Sequence, residues 1–450
     1  MARLFGTDGV RGIVNDTLTP ELAFHLGRVA ALYFSRRHDS PRFLVGRDTR
    51  ISGTMLAAAL AAGICSVGGE VDDAGVIPTP GVAFLTKEGH YAAGVMISAS
   101  HNPFPDNGIK FFDAQGFKLP DETEDELEEM LRQVSPEQDR RPMGAEIGVI
   151  TQRPDLVERY IDHVAAAAPA RLDGMKIVTD TANGAAAAVT PRVLERLGAT
   201  VIAIGAEPDG VNINDDCGST HPERLQAAVI AHGAAAGVAN DGDADRCIMV
   251  DERGELVDGD RIMYICGRYL HDTGALPDDT VVATVMSNIG LEKSLAKEGI
   301  RLARTAVGDR YVLAYMREHG YMLGGEQSGH VIFLAHNTTG DGVMTAVQVL
   351  GMAQARKMSV GALSEGLVIY PQLLTNVPVG DKTAWETDPV VQAAIAAGEE
   401  ELGDDGHVLV RASGTEPLVR VMAEGPSEDQ LKRIVGDIAG AIDRGTQITN

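Results

Sequence analysis

The chain has 450 residues, 39 Lys+Arg against 64 Asp+Glu, and a formal net charge of -25. At roughly 150 residues per domain this length can bury several cores without disulfides, and 44% hydrophobic with 23% charged residues excludes a disordered or collagen-like chain. The acidic balance gives no basic stripe of the kind that marks a nucleic-acid binder, while leaving room for a local basic pocket that takes a small phosphate ester.

The opening residues Met1–Asp8 carry no apolar stretch of the signal-peptide kind. The uncharged run Ile51–Gly69 is rich in Ala and broken by Gly63 and Gly68-Gly69, which predicts a buried helix running into a strand rather than a membrane span. Cys65, Cys217, Cys247 and Cys266 show no CxxC or zinc spacing. They read as isolated thiols of a reducing compartment, so a cytoplasmic location is expected.

Short apolar runs ending in polar turns alternate with Ala/Leu-rich amphipathic stretches. Phe43-Leu44-Val45 before Gly46-Arg47-Asp48, Lys176-Ile177-Val178 before Asp180–Gly184, and Val281–Val285 before Ser287-Asn288 are examples. This alternation predicts an α/β fold with mixed or mostly parallel sheets, whose ligands sit beyond the strand ends. Asp121–Glu129 reads as an exposed acidic helical face, and Asp251–Gly254 as a hairpin turn. Polar, Pro-punctuated Ser135–Pro142 and the Tyr370-Pro371-Gln372 break suggest domain edges. Four domains are expected: three similar α/β domains at 1–153, 154–253 and 254–368, and a smaller α+β domain at 369–450.

Four segments carry chemistry. In Gly94–Pro103 a strand runs into a polar turn, which should expose Ser100 to a cleft at the strand's end, with His101 and Asn102 beside it. A Gly turn at Asn107-Gly108 would then place Lys110 at the start of the next strand, Ile109–Phe112. The second segment is Ala239–Arg246, where Asp241, Asp243 and Asp245 are spaced to face one side of an extended segment. Three such carboxylates repel one another unless a cation sits among them, and oxygen donors suit Mg²⁺, Ca²⁺ or Mn²⁺. An EF-hand loop is excluded: Arg246 stands where its glycine belongs, and Cys247–Val250 reads as a strand. The third segment, Gly324–His330, sets Glu326, Gln327, Ser328 and His330 among glycines, a mixture suited to sugar hydroxyls. In the fourth, His407–Val421, two strands bracket Ser413-Gly414-Thr415 with Arg411 and Arg420 on either side, a pattern that fits a phosphate clamp. Thr305–Tyr311 is a weaker candidate for a further phosphate contact. No Walker A loop or HExxH motif is present.

In this order, from Phe5-Gly6-Thr7-Asp8-Gly9-Val10-Arg11-Gly12 to Arg420, the segments resemble the α-D-phosphohexomutase superfamily along the whole chain. The resemblance implies four domains around one central cleft and an isomerase that moves a phosphoryl group. It implies that Ser100 carries that group. Asp241, Asp243 and Asp245 would bind one Mg²⁺, with phosphorylated Ser100 as a further ligand. Lys110 matches the general acid/base, and Arg11, His101 and Arg246 match residues close to the transferred group. Glu326 and Ser328 match contacts to sugar hydroxyls, and Arg411, Ser413, Gly414, Thr415 and Arg420 match the clamp on the non-reacting phosphate. Ser98–Pro103 and the Gly324–His330 loop are most similar to the branch that acts on glucosamine phosphates. The phosphomannomutase/phosphoglucomutase branch usually has Met where Gln327 stands. The implied reaction interconverts glucosamine 6-phosphate and glucosamine 1-phosphate through a sugar 1,6-bisphosphate, which also serves as primer. The fourth domain would close the cleft against water. Rival readings are a sister mutase for glucose or mannose phosphates, a phosphosugar phosphatase and a non-catalytic binder. The expected partner is a small phosphosugar, with no nucleic acid and no membrane, and a homodimer is compatible with this reading.

Overall fold

A computed structural model of the chain describes residues 3–6, 8–37, 40–133, 142–413 and 417–447. Four sheets organise them. The first runs, in spatial order, Val10–Ile13, Asp106–Asp113, Ala93–Ile97, Arg42–Arg47, Glu70–Val76 and Ile150–Gln152. The second runs Leu256–Val257, Cys247–Val250, Ala236–Asn240, Lys176–Asp180 and Thr200–Ile204, and the third Arg301–Thr305, Thr280–Thr284, Leu323–Gly325 and Val331–Phe333. In each of these three, a parallel set is extended by an antiparallel strand after a hairpin. The fourth sheet, Gln372–Pro378, Leu418–Glu424 and His407–Ala412, is antiparallel throughout. It packs against the helices Pro389–Leu402 and Glu428–Gln447.

The repeated topology has one consequence for function. Ser98–Pro105, Asp241–Arg246 and Glu326–His330 are the loops of these three hairpins, and Ser413 directly follows the strand His407–Ala412, which pairs antiparallel with Leu418–Glu424. The first three segments singled out in the sequence therefore occupy equivalent places in three domains, and the fourth segment lies beside an antiparallel strand pair.

The uncharged run folds as expected, into the buried helix Gly53–Cys65 and then the strand Glu70–Val76. Leu56, Leu60 and Ile64 lie at helical spacing and are fully buried, which makes this helix part of a core rather than a lipid-facing element. Among the described residues no helix is long and apolar enough to cross a membrane. The acidic run forms the helix Asp121–Gln133, but it is not simply a solvated face. Glu124 and Glu128 turn inward, where Glu128 Oε2 accepts the Leu4 N–H at 2.9 Å and Glu124 pairs with Arg3. A helix of this composition buries its apolar stripe, here Leu127, and carries the acids beside that stripe with it.

One continuous hydrophobic core runs through the first three domains, from Leu44 and Phe112 through Ile177 and Met249 to Leu323 and Leu350. The fourth domain has a core of its own, around Val419, Val421, Leu431 and Ile438. Its described hydrogen bonds and ion pairs to the rest of the chain fall on residues 286–293. Glu424 Oε1 accepts the Ile289 N–H at 2.9 Å, Asn288 and Tyr370 exchange two bonds, and Lys293 pairs with Asp405 at 2.6 Å.

Candidate active site

The Ser100 loop is pinned from below. Arg50, itself buried, donates to the backbone carbonyls of Ser100 at 2.9 Å and Asn102 at 2.7 Å. Asp48 holds Arg50 at 2.8 Å and accepts the Ser98 hydroxyl at 2.6 Å, and Asn214 donates to the Ser100 carbonyl from the second domain at 2.8 Å. A buried ion pair is costly to desolvate and gains little net stability. Here it satisfies loop carbonyls and fixes Ser100 at φ +52, the left-handed region a non-glycine residue enters only when its surroundings impose it. The sequence suggested an exposed serine, but Ser100 is 2% exposed. Its Oγ points inward, donating to Asp241 Oδ2 at 2.6 Å, with His101 Nδ1 at 3.3 Å. Burial, then Arg246 and Arg11, push His101 down to about 4, so the ring is neutral at pH 7.

Lys110 also departs from the expectation. It lies in the middle of the strand Asp106–Asp113, not after a turn. Gly108 is a strand residue paired with Arg11, and a Cβ there would meet the Ser98 carbonyl oxygen at 2.6 Å. The glycine serves close approach rather than chain reversal. This register brings Arg11, Lys110 and the Ser100 loop to one end of the sheet.

The carboxylates sit on a tight hairpin turn, not an extended segment, with Ala244 at φ +59 and its N–H donating to the Asp241 carbonyl at 3.1 Å. The curl gathers a ligand oxygen from each of Asp241, Asp243 and Asp245 within 4.8 Å of one another, all three residues buried. Gly242 lets this turn touch the Ser100 loop, since a Cβ there would lie 2.5 Å from the Ser100 carbonyl oxygen. Burial, then Asp245 and Asp243, push Asp241 well above the usual carboxylate range. Burial and Asp243 likewise raise Asp245. Burial would raise Asp243 too, but Lys110 at 3.0 Å, the Thr79 hydroxyl at 2.6 Å and Arg11 hold it below that range. Burial works against the charge on Lys110, yet Asp243, Asp8 and Asp245 keep it above its ordinary value. Asp243 Oδ1 and Asp245 Oδ1 are buried without a hydrogen-bond partner. Hard oxygen donors, convergent and partly unsatisfied, fit a divalent cation such as Mg²⁺.

Above this cluster, the Arg246 N–H donates to Asp241 Oδ1 at 3.2 Å, and Glu326 of the third domain acts on the Arg246 guanidinium electrostatically. Glu326 Oε1 accepts the Gly308 N–H at 3.1 Å, so the Thr305–Tyr311 turn supports the Glu326–His330 loop. Ser328 is exposed at the tip of that loop. Lys118, which sequence reasoning passed over, joins Asp8 of the Phe5–Gly12 motif to Asp309 of the Thr305–Tyr311 turn. Lys118 Nζ donates to Asp8 Oδ1 at 2.7 Å and Asp309 Oδ2 at 2.6 Å, and Asp8 Oδ2 accepts Arg11 Nη2 at 2.9 Å. Only this geometry marks Lys118; in sequence it is an ordinary charged residue.

In the fourth domain Arg411 and Arg420 are direct cross-strand partners. Like charges placed opposite each other destabilise a sheet. Burial, then Arg420, lowers Arg411 below its ordinary value. The Ser413 carbonyl accepts a hydrogen bond from Lys382 Nζ at 3.0 Å, which adds a third cation that no sequence motif signalled. Gly414 and Thr415 lie outside the described residues.

Comparison with known proteins places this geometry. Family profiles described as phosphoglucomutase/phosphomannomutase match residues 2–138 (alpha/beta/alpha domain I), 158–254 (domain II), 258–369 (domain III) and 374–441 (C-terminal domain). A curated relative from Symbiobacterium thermophilum, named phosphoglucosamine mutase, is 57% identical over 446 residues, covering 98% of this chain and 99% of the relative. A solved structure of a phosphoglucomutase/phosphomannomutase family protein from Burkholderia thailandensis matches with TM-score 0.83 at 25% identity, covering 100% of this chain and 98% of that one. The N-acetylphosphoglucosamine mutase of Aspergillus fumigatus, solved with GlcNAc-6P and magnesium, matches with TM-score 0.68 at 18% identity over 98% and 96%, a likeness of fold.

Proposed function

The chain belongs to the phosphoglucomutase/phosphomannomutase family, and on that premise we infer that it interconverts glucosamine 6-phosphate and glucosamine 1-phosphate. The observation that carries the reading is the buried contact of Ser100 Oγ with Asp241 in a cluster that also holds Lys110. A hydroxyl shielded from water can keep a phosphoryl group that an exposed one would lose to hydrolysis.

In this reading Ser100 carries the phosphoryl group. Asp241, Asp243 and Asp245 would hold Mg²⁺, which neutralises charge on the transferring group when bound. Transfer breaks the bond between phosphorus and Ser100 Oγ and forms one to the free hydroxyl of the sugar phosphate, giving the 1,6-bisphosphate. The sugar hydroxyl's proton is relayed by Lys110 Nζ and ends on Ser100 Oγ, which the Asp241 carboxylate then accepts as a hydrogen bond. Arg11 and Arg246 balance the anionic equatorial oxygens, and His101, whose Nδ1 lies 3.3 Å from Ser100 Oγ, orients the group. After the bisphosphate turns round, the reverse transfer restores phosphorylated Ser100 and releases the isomer. Arg411, Ser413, Gly414, Thr415 and Arg420 hold whichever phosphate is not reacting, and Glu326 and Ser328 bind sugar hydroxyls in either orientation. Burial of the four unpaired cysteines accords with a cytoplasmic setting.

The test is a ³¹P NMR time course with Mg²⁺, a trace of sugar bisphosphate, and equal glucosamine 6-phosphate and glucose 6-phosphate. Faster appearance of glucosamine 1-phosphate is expected. Faster glucose 1-phosphate would move the chain to the sister branch, and inorganic phosphate without isomer would make it a phosphatase.

A further inference from the structure

We propose that Lys118 is a positioning residue for this reaction: a cationic strut between Asp8 and Asp309 that sets the spacing between the phosphoryl end and the sugar end of the cleft. The proposal rests on the mutase reading for its kinetic arm only. Lys118 stands just beyond the turn that follows Asp106–Asp113, and its backbone is bridged back to Phe112. The stem is therefore fixed and the ammonium is presented, with 21% of the side chain exposed, to two carboxylates from different domains.

Each carboxylate leads to a different part of the site. Asp8 takes Lys118 on one oxygen and Arg11 on the other, so the Arg11 guanidinium is located through Asp8. Asp309 opens the helix Asp309–His319, directly after the Gly308 that supports Glu326. Asp309 Oδ2 also lies 3.6 Å from Nε2 of the buried His330. Asp309 thus touches the sugar loop at both ends, through Gly308 at Glu326 and directly at His330. Other contacts cross the same boundary, among them Arg317 over the Phe117 ring and the Thr338 hydroxyl on the Gly116 carbonyl, but the other described ion pair, Arg310 with Asp121, is about half exposed at Asp121, and such pairs contribute little. Take the ammonium away and Asp8, still paired with Arg11, faces Asp309 with no cation between them, beside a cavity of about 340 Å³ that Lys110 and His330 also line. Repulsion between them would then be relieved by moving the Gly308–Asp309 turn, and the sugar loop with it. Lys118 reaches no reacting atom; it acts through Arg11 and Glu326.

The test compares Lys118→Met, Lys118→Arg and Asp309→Asn with the parent. In Lys118→Met we expect KM for glucosamine 6-phosphate to rise about tenfold while kcat changes less than threefold. Amide exchange over residues 308–330 should quicken at least tenfold and stay unchanged over 241–246. Lys118→Arg should return KM to within threefold of the parent. Asp309→Asn, which removes one carboxylate and leaves no like-charge pair, should reproduce the KM change in weaker form, and it serves if Lys118→Met does not fold. KM and exchange both within twofold of the parent would overturn the proposal, as would Lys118→Arg as impaired as Lys118→Met. A parent that isomerises no sugar phosphate would defeat the function reading alone, because the exchange comparison needs no substrate.

Discussion

Asp245 offers the sharpest separation of folding from function. Its Oδ1 is buried without a hydrogen-bond partner, its contact with Arg246 is 3.9 Å long, and its neighbours in the turn are two further carboxylates within 4.8 Å. At an effective dielectric constant of about 20, two unit charges at that distance repel by about 3.5 kcal/mol. Lys110, Arg246 and His330 offset part of this, and partial protonation relieves more, so about 1–3 kcal/mol of net strain is expected in the metal-free chain. Asp245→Asn removes one charge and keeps the shape. Without metal, in EDTA, the variant should therefore melt a few degrees above the parent. Mg²⁺ reverses the order. At a hundredfold excess over its Kd, a ligand that binds only the folded state adds about 2.7 kcal/mol, and the parent alone should gain it. Thermal melts in EDTA and in a Mg²⁺ titration read both terms without substrate. A variant that melts below the parent in EDTA, and gains as much from Mg²⁺, would show that Asp245 is neither strained nor a ligand.

Three further outcomes follow from the same geometry. Ser100→Ala should abolish isomerisation, with melting within a few degrees of the parent, and intact-mass analysis should find no phosphorylated form; turnover within tenfold of the parent would remove Ser100 from the phosphoryl path. Arg420→Ala should raise KM for the sugar phosphate at least tenfold and leave Mg²⁺ activation alone, whereas unchanged kinetics would take the cross-strand arginine pair out of the site. The third concerns Asp260, fully buried, which burial, Asp258 and Glu424 raise to about 7. A carboxyl raised on folding holds its proton more tightly in the folded chain, so its stabilisation is present below the unfolded pKa near 4 and lost as pH climbs through about 7. At about 1.4 kcal/mol per pKa unit, the loss is at most about 4 kcal/mol. Asp260→Asn should flatten the decline in melting temperature between pH 5 and pH 8, and parallel profiles would refute the assignment.

What the sequence made legible is local. An apolar run, a polar turn and a second apolar run can be read directly, and all four functional hairpins follow that pattern. Pattern alone did not give the conformation inside a turn. Gly108 reads as a turn residue until the Ser98 carbonyl is seen against it, and the Asp241–Asp245 spacing reads as extended until Ala244 takes a left-handed backbone. Burial of Ser100 was equally out of reach, because the cover comes from the second domain, through Asn214 and the touching turn at Gly242. The Asp8–Lys118–Asp309 cluster shows the limit best. Its members are 110 and 191 positions apart along the chain, and nothing near any of them signals the other two.

The described polar contacts of the fourth domain with the rest of the chain gather on residues 286–293, which bears on how the cleft shuts. A body held at one place keeps rotation as its remaining freedom, and only a second point of hold removes it. In the proposed reaction the substrate would supply that second point, its spectator phosphate held by the cross-strand arginines. Recognition of a group remote from the bond being broken then acts as a latch, and its binding energy goes into ordering a whole domain over the reacting centre. A sugar without the spectator phosphate would leave the latch open and the cleft around the sugar accessible to water. Discrimination against water as an acceptor is in this way tied to possession of a phosphate that takes no part in the transfer.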